Sequence, residues 1–287
     1  MREFACAIAV GPDPKEIDRT ADLIDSLGAF ESGPWTLVMV DDAAEDRRLA
    51  TQFKIPDDCQ AVSVPHPRRD HSIQYTRGKG ICAAILEALS WIARSAADAR
   101  FVLKLDTDAL VIGPVAQKIA SLLDANGDVG MLGAYDRTPA GEPRDFSLHA
   151  TTMQQIYQRP SPVQAHIRAA LNNGYRFGEH CLGGAYAVSD ELLKRMLAAG
   201  YLDNPSMWLT IDSPEDVMIG MYAKAVGLRH MNFVAPGEVF GVRYRGLPDE
   251  PGKLIERGYS VIHSVKNEPR MSEEKVRAFF RARRRQG

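Results

Sequence analysis

The sequence predicts an α/β fold in which a mostly parallel central sheet is flanked by helices. Over the first 135 residues, short apolar runs alternate with amphipathic stretches, which is the rhythm of strand–helix–strand units. The chain has 287 residues, 45% of them hydrophobic and 25% charged, and this size and composition fit one large domain. We therefore expect a single domain over residues 1–287, built from a first half at 1–135 and a second at 136–287.

Strand and helix signals alternate through the first half. Strands are predicted at residues 4–10, 35–40, 61–64, 101–105 and 129–134, where apolar runs are bounded by polar or turn-forming residues. The first helix begins with Asp13, Pro14 and Glu16, which supply an N-cap, a first-turn proline and a capping-box acid. A long helix is predicted to open at residues 77–80 and to carry apolar residues on one face.

The second half begins with a segment of different composition, residues 136–180, which has few β-branched runs. This segment contains several prolines and one predicted helix at 162–173, which ends at Gly174. We interpret it as an insertion beside the functional site. Helices are then predicted at 190–199 and 214–226, followed by short strands around Phe233 and Val261 and a final helix with a basic tail.

Charge and composition exclude several classes of protein. With 35 basic and 37 acidic side chains the formal net charge is -2, which argues against binding nucleic acid through bulk electrostatics. No apolar run reaches the roughly 20 residues of a membrane span, and the N-terminal apolar run is interpreted as a strand and not as a signal peptide. The four cysteines are scattered, so we expect a cytoplasmic protein. A solvated helix end explains the basic tail better than peripheral contact with an anionic membrane.

The most informative element is the segment VLKLDTDALVIG at residues 102–113. Asp106 and Asp108 directly follow a predicted buried strand, and residues i and i+2 of an extended chain lie on the same side. Their carboxylates can therefore converge on a hard divalent cation, which prefers oxygen ligands. A D-x-D sequence alone is equally compatible with a turn at a strand end. Its place at the carboxyl edge of an α/β sheet, where ligands bind in such folds, favours the functional interpretation.

A second element is the run CLGGAY at residues 181–186. Gly183 and Gly184 can let the backbone approach a ligand closely. The alternative is a tight turn before a helix capped by Ser189, and for an isolated glycine pair this is the better explanation.

The third element is DSPEDVMIG at residues 212–220. Ser213 and Asp216 have the spacing of a capping box, and Pro214 suits the first helical position, so an ordinary helix start explains the pattern. A carboxylate held at a helix start, here Glu215 or Asp216, can also serve as a general base.

In order and rough spacing, the three elements resemble the inverting β-1,3-glycosyltransferases of the fringe and core-1 galactosyltransferase type. The similarity runs through D-x-D, the glycine pair before a helix and P-E-D-V-x-x-G over residues 101–227, and the first half resembles that family by pattern only. It implies a GT-A fold, that is, a Rossmann-like nucleotide-binding α/β domain. It also implies a nucleotide-sugar donor, with UDP-sugar favoured, and Mn²⁺ or Mg²⁺ as the metal. Residues 1–135 would then bind the donor, and residues 136–287 would bind the acceptor and carry catalysis.

The resemblance also assigns roles to residues. It implies that Asp108 binds the metal and that Asp106 reaches the metal, the ribose or the sugar. The general base falls on Glu215 or Asp216, with Asp216 favoured. Such enzymes usually have a late histidine as a further metal ligand, and His263 at a predicted strand end is the candidate. A lone histidine is more often simply a packed or exposed polar residue.

Further candidates would hold the donor. Asp41 and Asp42, at the end of the second strand, occupy the place of the acid that holds the base or ribose in the resembled fold. Arg77 and Lys79, at the start of a helix, could hold the diphosphate through charge and helix dipole. Solvated cations are an equal alternative for this pair, and Lys266 has the same two interpretations.

Departures from the resembled family limit what it implies. The membrane anchor, luminal signal and disulfides of the eukaryotic enzymes are not seen, so a glycan, a lipid-linked compound or a small molecule fits better as acceptor than a protein. A non-catalytic nucleotide-sugar or glycan-binding module has no need of a base. A D-x-D phosphatase calls for threonine where this chain has Leu110. Inversion depends on the P-E-D-V resemblance alone, because a retaining enzyme would share the D-x-D and the late histidine.

Overall fold

The computed structural model describes residues 2–43, 45–69 and 80–284. The strands, numbered along the chain, are β1 (Phe4–Val10), β2 (Trp35–Asp41), β3 (Cys59–Pro65), β4 (Phe101–Leu105), β5 (Leu110–Val111), β6 (Val129–Gly133), β7 (Ala185–Ser189), β8 (Arg229–Asn232), β9 (Phe240–Val242) and β10 (Val261–His263). Seven of them form the main sheet in the order β3-β2-β1-β4-β7-β6-β8. The remaining three form a small sheet in the order β5-β10-β9.

The main sheet is mostly parallel. Strands β1, β2, β3 and β4 run in one direction, and β6 and β8 are parallel to each other. Strand β7 lies antiparallel to both of its neighbours, β4 and β6. With helices against the sheet, this arrangement confirms the predicted α/β fold class.

The helices are α1 (Pro14–Phe30), α2 (Leu49–Gln52), α3 (Ile81–Ser95), α4 (Ala116–Ala125), α5 (Ser147–Gln158), α6 (Gln164–Asn172), α7 (Asp190–Ala198), α8 (Glu215–Ala225), α9 (Pro251–Glu256) and α10 (Glu273–Arg284). Two hydrophobic clusters form because side chains alternate across each strand. Ala5 and Ala7 of β1 pack in the cluster that contains α3 and α8. Phe4, Cys6 and Ile8 pack in the cluster that contains α1 and α4. The central strands are therefore covered on both faces.

Most predicted elements appear within one or two residues of their expected bounds. β1 and β4 match their predictions, while β3 begins earlier, at Cys59, and the long helix begins at Ile81. The helix start predicted at 77–80 lies mostly outside the described residues. The short strand expected around Phe233 is instead β8, which ends at Asn232.

The prediction of one helix between 136 and 180 was wrong, because the segment contains both α5 and α6. Helix α5 is weakly amphipathic, and Met153 is its only buried residue. A helix with so small a buried face leaves little apolar periodicity in the sequence. Its start is instead marked by Asp145, whose carboxylate accepts a hydrogen bond from the Ser147 N–H at 2.9 Å.

The small sheet folds the C-terminal part of the chain back onto the end of β4. Strand β10 pairs antiparallel with β5, so that Ile262 lies opposite Leu110. Since β5 begins two residues after Asp108, this pairing carries His263 to the D-x-D turn. None of the helices in the described parts of the chain is long and apolar enough to cross a membrane, and all four cysteines are free thiols.

Candidate active site

The D-x-D segment lies at the carboxyl edge of the main sheet, as the sequence predicts. Strand β4 ends at Leu105, and Asp106 begins a tight turn in which the Ala109 N–H donates to the Asp106 carbonyl at 3.0 Å. The Asp106 N–H donates to the Gly184 carbonyl at 2.8 Å. The first acid is therefore tied to the glycine pair that precedes β7.

Asp106, Asp108 and His263 form one cluster with ligand-type atoms within 4.8 Å of one another. The His263 Nε2 lies 3.3 Å from Asp108 Oδ1 and 3.7 Å from Asp106 Oδ2. Two carboxylates from the turn after β4 and one imidazole from the end of β10 thus converge. The structure brings together the three residues that the sequence analysis predicted as metal ligands.

The tautomer of His263 is fixed by its other nitrogen. Nδ1 lies 2.9 Å from the Arg243 carbonyl oxygen, which can only accept, so Nδ1 carries the proton and the Nε2 lone pair of the neutral ring faces the acids. Burial lowers the pKa of His263, but the Asp108 and Asp106 carboxylates raise it by more, so that the pKa lies above its ordinary value. A cation held by these acids would take the place of the additional proton at Nε2.

Asp108 is completely buried, and its two oxygens differ in their surroundings. Oδ2 accepts a hydrogen bond from the Ser264 hydroxyl, whereas Oδ1 has no hydrogen-bond donor among the described residues. Lys266 Nζ stands 3.4 Å from Oδ1. Burial raises the pKa of Asp108, but His263, Lys266 and Ser264 lower it by more, well below its usual range. A buried, ionised oxygen without a hydrogen-bond donor fits a divalent cation, and the two carboxylates offer the oxygen ligands that Mn²⁺ or Mg²⁺ prefers.

The glycine pair is required by the side chains that lie against it. Gly184 has φ +92°, and a Cβ there would lie 2.4 Å from His263 Nδ1. A Cβ on Gly183 would lie 2.8 Å from Asp216 Oδ2. The sequence predicts either a close backbone approach to a ligand or a tight turn at these glycines; the close approach seen here is to two side chains of the site.

The acid pair lies at the start of α8, with Glu215 and Asp216 both buried. Asp216 accepts hydrogen bonds from the Gly183 N–H at 2.6 Å and from the Val217 N–H at 2.8 Å. The expected capping box is absent, because the N-cap residue is Pro214, which has no side-chain hydrogen bond to offer, and the helix begins at Glu215. Burial raises the pKa of Asp216 more than nearby Lys104 and these hydrogen bonds lower it, so the pKa is raised.

Sequence reasoning missed Lys104, which lies within β4 and is fully buried. Its Nζ contacts Asp106 Oδ1 at 2.6 Å and Glu215 Oε1 at 2.5 Å. The available signal was its position two residues before Asp106, which places both side chains on the same side of the strand.

One residue from the 136–180 segment also reaches the acid pair, and a second holds it. His180 Nε2 lies 3.5 Å from Asp216 Oδ2 and 2.9 Å from an Arg144 guanidinium nitrogen. His180 Nδ1 donates to the Gly178 carbonyl at 2.7 Å, so Nε2 accepts from Arg144. Burial, with a smaller effect from the Arg144 charge, lowers the pKa of His180 to about 3. The sequence signal for His180 is its position directly before the CLGGAY run.

One open cleft of about 640 Å³ extends from Asp106 and His263 to the acid pair, Glu215 and Asp216. Its mouth carries exposed Tyr244 and Arg245, with the guanidinium 5.6 Å from the tyrosine ring centre. The cleft is lined by Asp106, Leu182, Gly183, Gly184, Pro214, Glu215, Asp216, Tyr244, Arg245, His263, Ser264, Lys266 and Asn267. The predicted site residues Asp106, Gly183, Gly184, Glu215, Asp216, His263 and Lys266 thus share one concave surface.

Asp41 and Asp42 do not line this cleft. Asp41 is completely buried and pairs with Arg47 at 2.5 Å and with Arg69 at 2.9 Å. Asp42 is largely buried and pairs with Arg68. Asp41 therefore organises the loop after β2, and a role for either acid in nucleotide binding stays a prediction. Arg77 and Lys79 lie outside the described residues.

The fold and the site together define an α/β protein in which two aspartates and a histidine, grouped so that they could hold a cation, lie at the carboxyl edge of the sheet. The apo structure of WbbM, a bifunctional glycosyltransferase, matches 96% of this chain with a TM-score of 0.53 at 13% identity. The mannosyltransferase PcManGT from Pyrobaculum calidifontis, in complex with GDP-Man and Mn²⁺, matches 82% of this chain with a TM-score of 0.44 at 18% identity.

The chain spans about half the length of these two structures, 49% and 56% respectively. No protein-family model matches the sequence, and no curated protein matches it. The similarity to WbbM shows that this chain shares its fold with a glycosyltransferase.

Proposed function

We propose that this chain is a metal-dependent glycosyltransferase, which moves a hexose from a nucleoside diphosphate sugar to an acceptor hydroxyl. One observation carries the proposal: a cluster suited to a divalent cation and a buried carboxylate with a raised pKa share one cleft. Glycosyl transfer with inversion can use both, because a diphosphate must leave while a hydroxyl loses its proton. A shared fold with WbbM agrees with this assignment.

Asp108, His263 and Asp106 are the residues that would hold Mn²⁺ or Mg²⁺. When bound, such an ion supplies positive charge that neutralises the diphosphate leaving group. Lys266, 3.4 Å from Asp108 Oδ1, adds a second positive charge on the same side of the cleft. Ser264 holds the other Asp108 oxygen, which fixes the rotamer of the carboxylate.

Asp216 is the proposed general base. The backbone N–H groups of Gly183 and Val217 hold its two oxygens, and its raised pKa makes it a stronger base than an exposed aspartate. It would accept the proton of the acceptor hydroxyl as that oxygen attacks the anomeric carbon. Inversion and a UDP-sugar donor remain part of the proposal, supported by the resemblance of P-E-D-V to inverting enzymes.

The segment at 136–180 is the proposed acceptor-binding element, within a catalytic half at 136–287. His180 from this segment lies 3.5 Å from Asp216, Arg144 donates to His180, and the His149 ring is 4.9 Å from the His180 ring. These side chains do not line the cleft and His180 is completely buried, so the segment would act on the acceptor by holding Asp216 in place. We propose a glycan, a lipid-linked compound or a small molecule as acceptor.

The deciding experiment is calorimetric binding of UDP, GDP and their common sugar conjugates, with Mn²⁺ and with EDTA. We expect one nucleotide to bind only with metal, and Asp108→Ala to abolish that binding because it removes the buried ligand oxygen. Asp124→Ala is the matched control, since this acid lies on the surface in an ion pair with Arg100. Absence of binding to every nucleotide would favour a glycan-binding module or a phosphatase instead.

A further inference from the structure

Lys104 is an unusual residue for the middle of a central strand. It is fully buried, flanked along β4 by Leu103 and Leu105, and lies opposite Tyr186 of β7. A buried ammonium is costly unless it is paired and hydrogen-bonded. Here Nζ bonds to Asp106 and Glu215 and lies 5.4 Å from the centre of the Tyr186 ring.

Two carboxylates lie against the ammonium in this environment. Burial lowers the pKa of Lys104, but the Asp106 and Glu215 carboxylates raise it by more, so that the pKa lies well above its ordinary value. At 1% exposure the side chain is shielded from the cleft. Lys104 therefore acts on substrate only through the acids that it holds.

The contact with Asp106 separates the functions of its two oxygens. Oδ1 accepts from Lys104 at 2.6 Å, while Oδ2 faces His263 Nε2 at 3.7 Å. Asp106 is the most exposed of the three cluster residues, with 37% of its side chain accessible. A partly exposed carboxylate can rotate freely unless a partner holds it, and Lys104 is such a partner.

The contact with Glu215 distinguishes the two members of the acid pair. Glu215 Oε1 accepts from Lys104 at 2.5 Å, so this acid serves as the counter-ion of a buried lysine. Asp216 is held by two backbone N–H groups instead. It has no ion pair to a lysine or arginine among the described residues, and is free to accept a proton.

We propose that Lys104 is a positioning residue that joins the two halves of the site, turning Asp106 towards the metal and holding Glu215 as its counter-ion so that Asp216 alone is the base. This inference deepens the proposed function and rests on it. Lys104 is an outer-shell partner of a metal ligand, and such partners commonly alter metal affinity by roughly 10- to 100-fold.

The test is direct Mn²⁺ binding, measured by electron paramagnetic resonance without any nucleotide. We expect Lys104→Met to weaken Mn²⁺ binding by roughly 10- to 100-fold, because Asp106 loses the partner that fixes its rotamer. Lys194→Met is the matched control. It removes an exposed lysine that pairs with Asp190 on α7, and should bind Mn²⁺ like the unsubstituted protein.

Lys104→Met also leaves Glu215 buried without its counter-ion, which could destabilise the fold. The double variant Lys104→Met/Glu215→Gln removes that charge and carries the test if the single variant does not fold. We expect it to recover thermal stability while its Mn²⁺ affinity stays low. Recovery of stability and affinity together would overturn the positioning role, and so would unchanged Mn²⁺ binding in Lys104→Met.

Failure of the proposed function gives a different pattern. If the unsubstituted protein binds Mn²⁺ but no nucleotide-sugar, the transferase assignment fails while the comparison between Lys104 variants still decides the positioning role. If the unsubstituted protein binds no Mn²⁺ in the absence of nucleotide, the positioning role is overturned, while the calorimetry with nucleotide still decides the transferase assignment.

Discussion

Single atoms decide what each acid of this site can do. Asp108, Glu215 and Asp216 are all buried carboxylates, yet their partners differ. Asp108 has an oxygen without a donor, Glu215 accepts from an ammonium, and Asp216 accepts from backbone N–H groups. These partners, more than the residue type, separate metal ligand, counter-ion and base.

Substitution of the acid pair should separate the roles of its members. Asp216→Asn is expected to keep metal-dependent nucleotide binding and to lower kcat by roughly 10²- to 10⁴-fold, the usual contribution of a general base. Glu215→Gln should lose much less activity. Steady-state kinetics with the donor found by calorimetry checks this, with Asp190→Asn on α7 as a surface control. A fully active Asp216→Asn enzyme would contradict the assignment.

Activity should depend on pH through Asp216. The base must be ionised, and because burial raises its pKa, kcat/KM should fall on the acid side at a pH clearly above about 4, the ordinary value for aspartate. The measurement is the pH profile of kcat/KM at saturating Mn²⁺, accompanied by a binding profile over the same range. An acid limb explained wholly by loss of metal binding would be evidence against Asp216.

Helix α10 contacts the turn that holds Asp106 and Asp108, although the contacting residues are 170 positions apart in the chain. Arg277 donates to Asp22 of α1 at 2.9 Å and to the Thr107 carbonyl, between the two D-x-D acids, at 3.3 Å. Arg281 and Arg284 pair with Asp22 as well. The basic C-terminal helix, as far as Arg284, is therefore a packed element of the fold and not simply a solvated end.

Asp22→Asn should destabilise the protein by up to about 3 kcal/mol. This is the lower end of the range measured for breaking a buried ion pair, and we use it because Arg281 is half exposed. Burial raises the pKa of Asp22, but Arg281, Arg277 and Arg284 lower it by more, so the folded-state pKa is depressed. The stabilisation is therefore present above the unfolded-state pKa and is lost as pH falls through the folded-state value.

Urea unfolding between pH 7 and pH 3 checks this prediction. The difference in unfolding free energy between Asp22→Asn and the unsubstituted protein should shrink as pH falls below about 4. Asp128→Asn, which breaks an exposed pair with Arg229, should have little effect throughout. A difference that stays constant with pH would show that the Asp22 charge is not what stabilises α10.

For the whole molecule, ligand binding should appear as thermal stabilisation. A ligand that binds only the folded state at 100 times its Kd adds about 2.7 kcal/mol, which corresponds to roughly 4–5 °C in a domain of this size. Mn²⁺ with the correct nucleotide should produce such a shift in a melting experiment. EDTA or Asp108→Ala should remove it, whereas a shift that persists in EDTA would contradict metal-dependent binding.

Local patterns in the sequence were enough for the fold class and most elements. Short apolar runs predicted β1 to β4, and capping and breaking residues placed α6, α7 and α8 to within two residues of their bounds. The D-x-D acids and the acid pair were found because they lie at element ends, where a ligand can reach them. Helix α5 was missed because its buried face is too small to leave a periodic pattern.

The tertiary structure decided which of these residues act together and how each is charged. Lys104 and His180 were missed because their partners, Glu215 and Asp216, lie 111 and 36 residues away in the chain. The sequence shows that a lysine or a histidine is present, but burial and the distance to a carboxylate determine its pKa and its role. Residue types and periodicity therefore determined the fold class and the candidate acids. Only the packing of β10, α8 and α10 against the end of β4 determined the site, because electrostatic interactions depend on distances that are set by the fold.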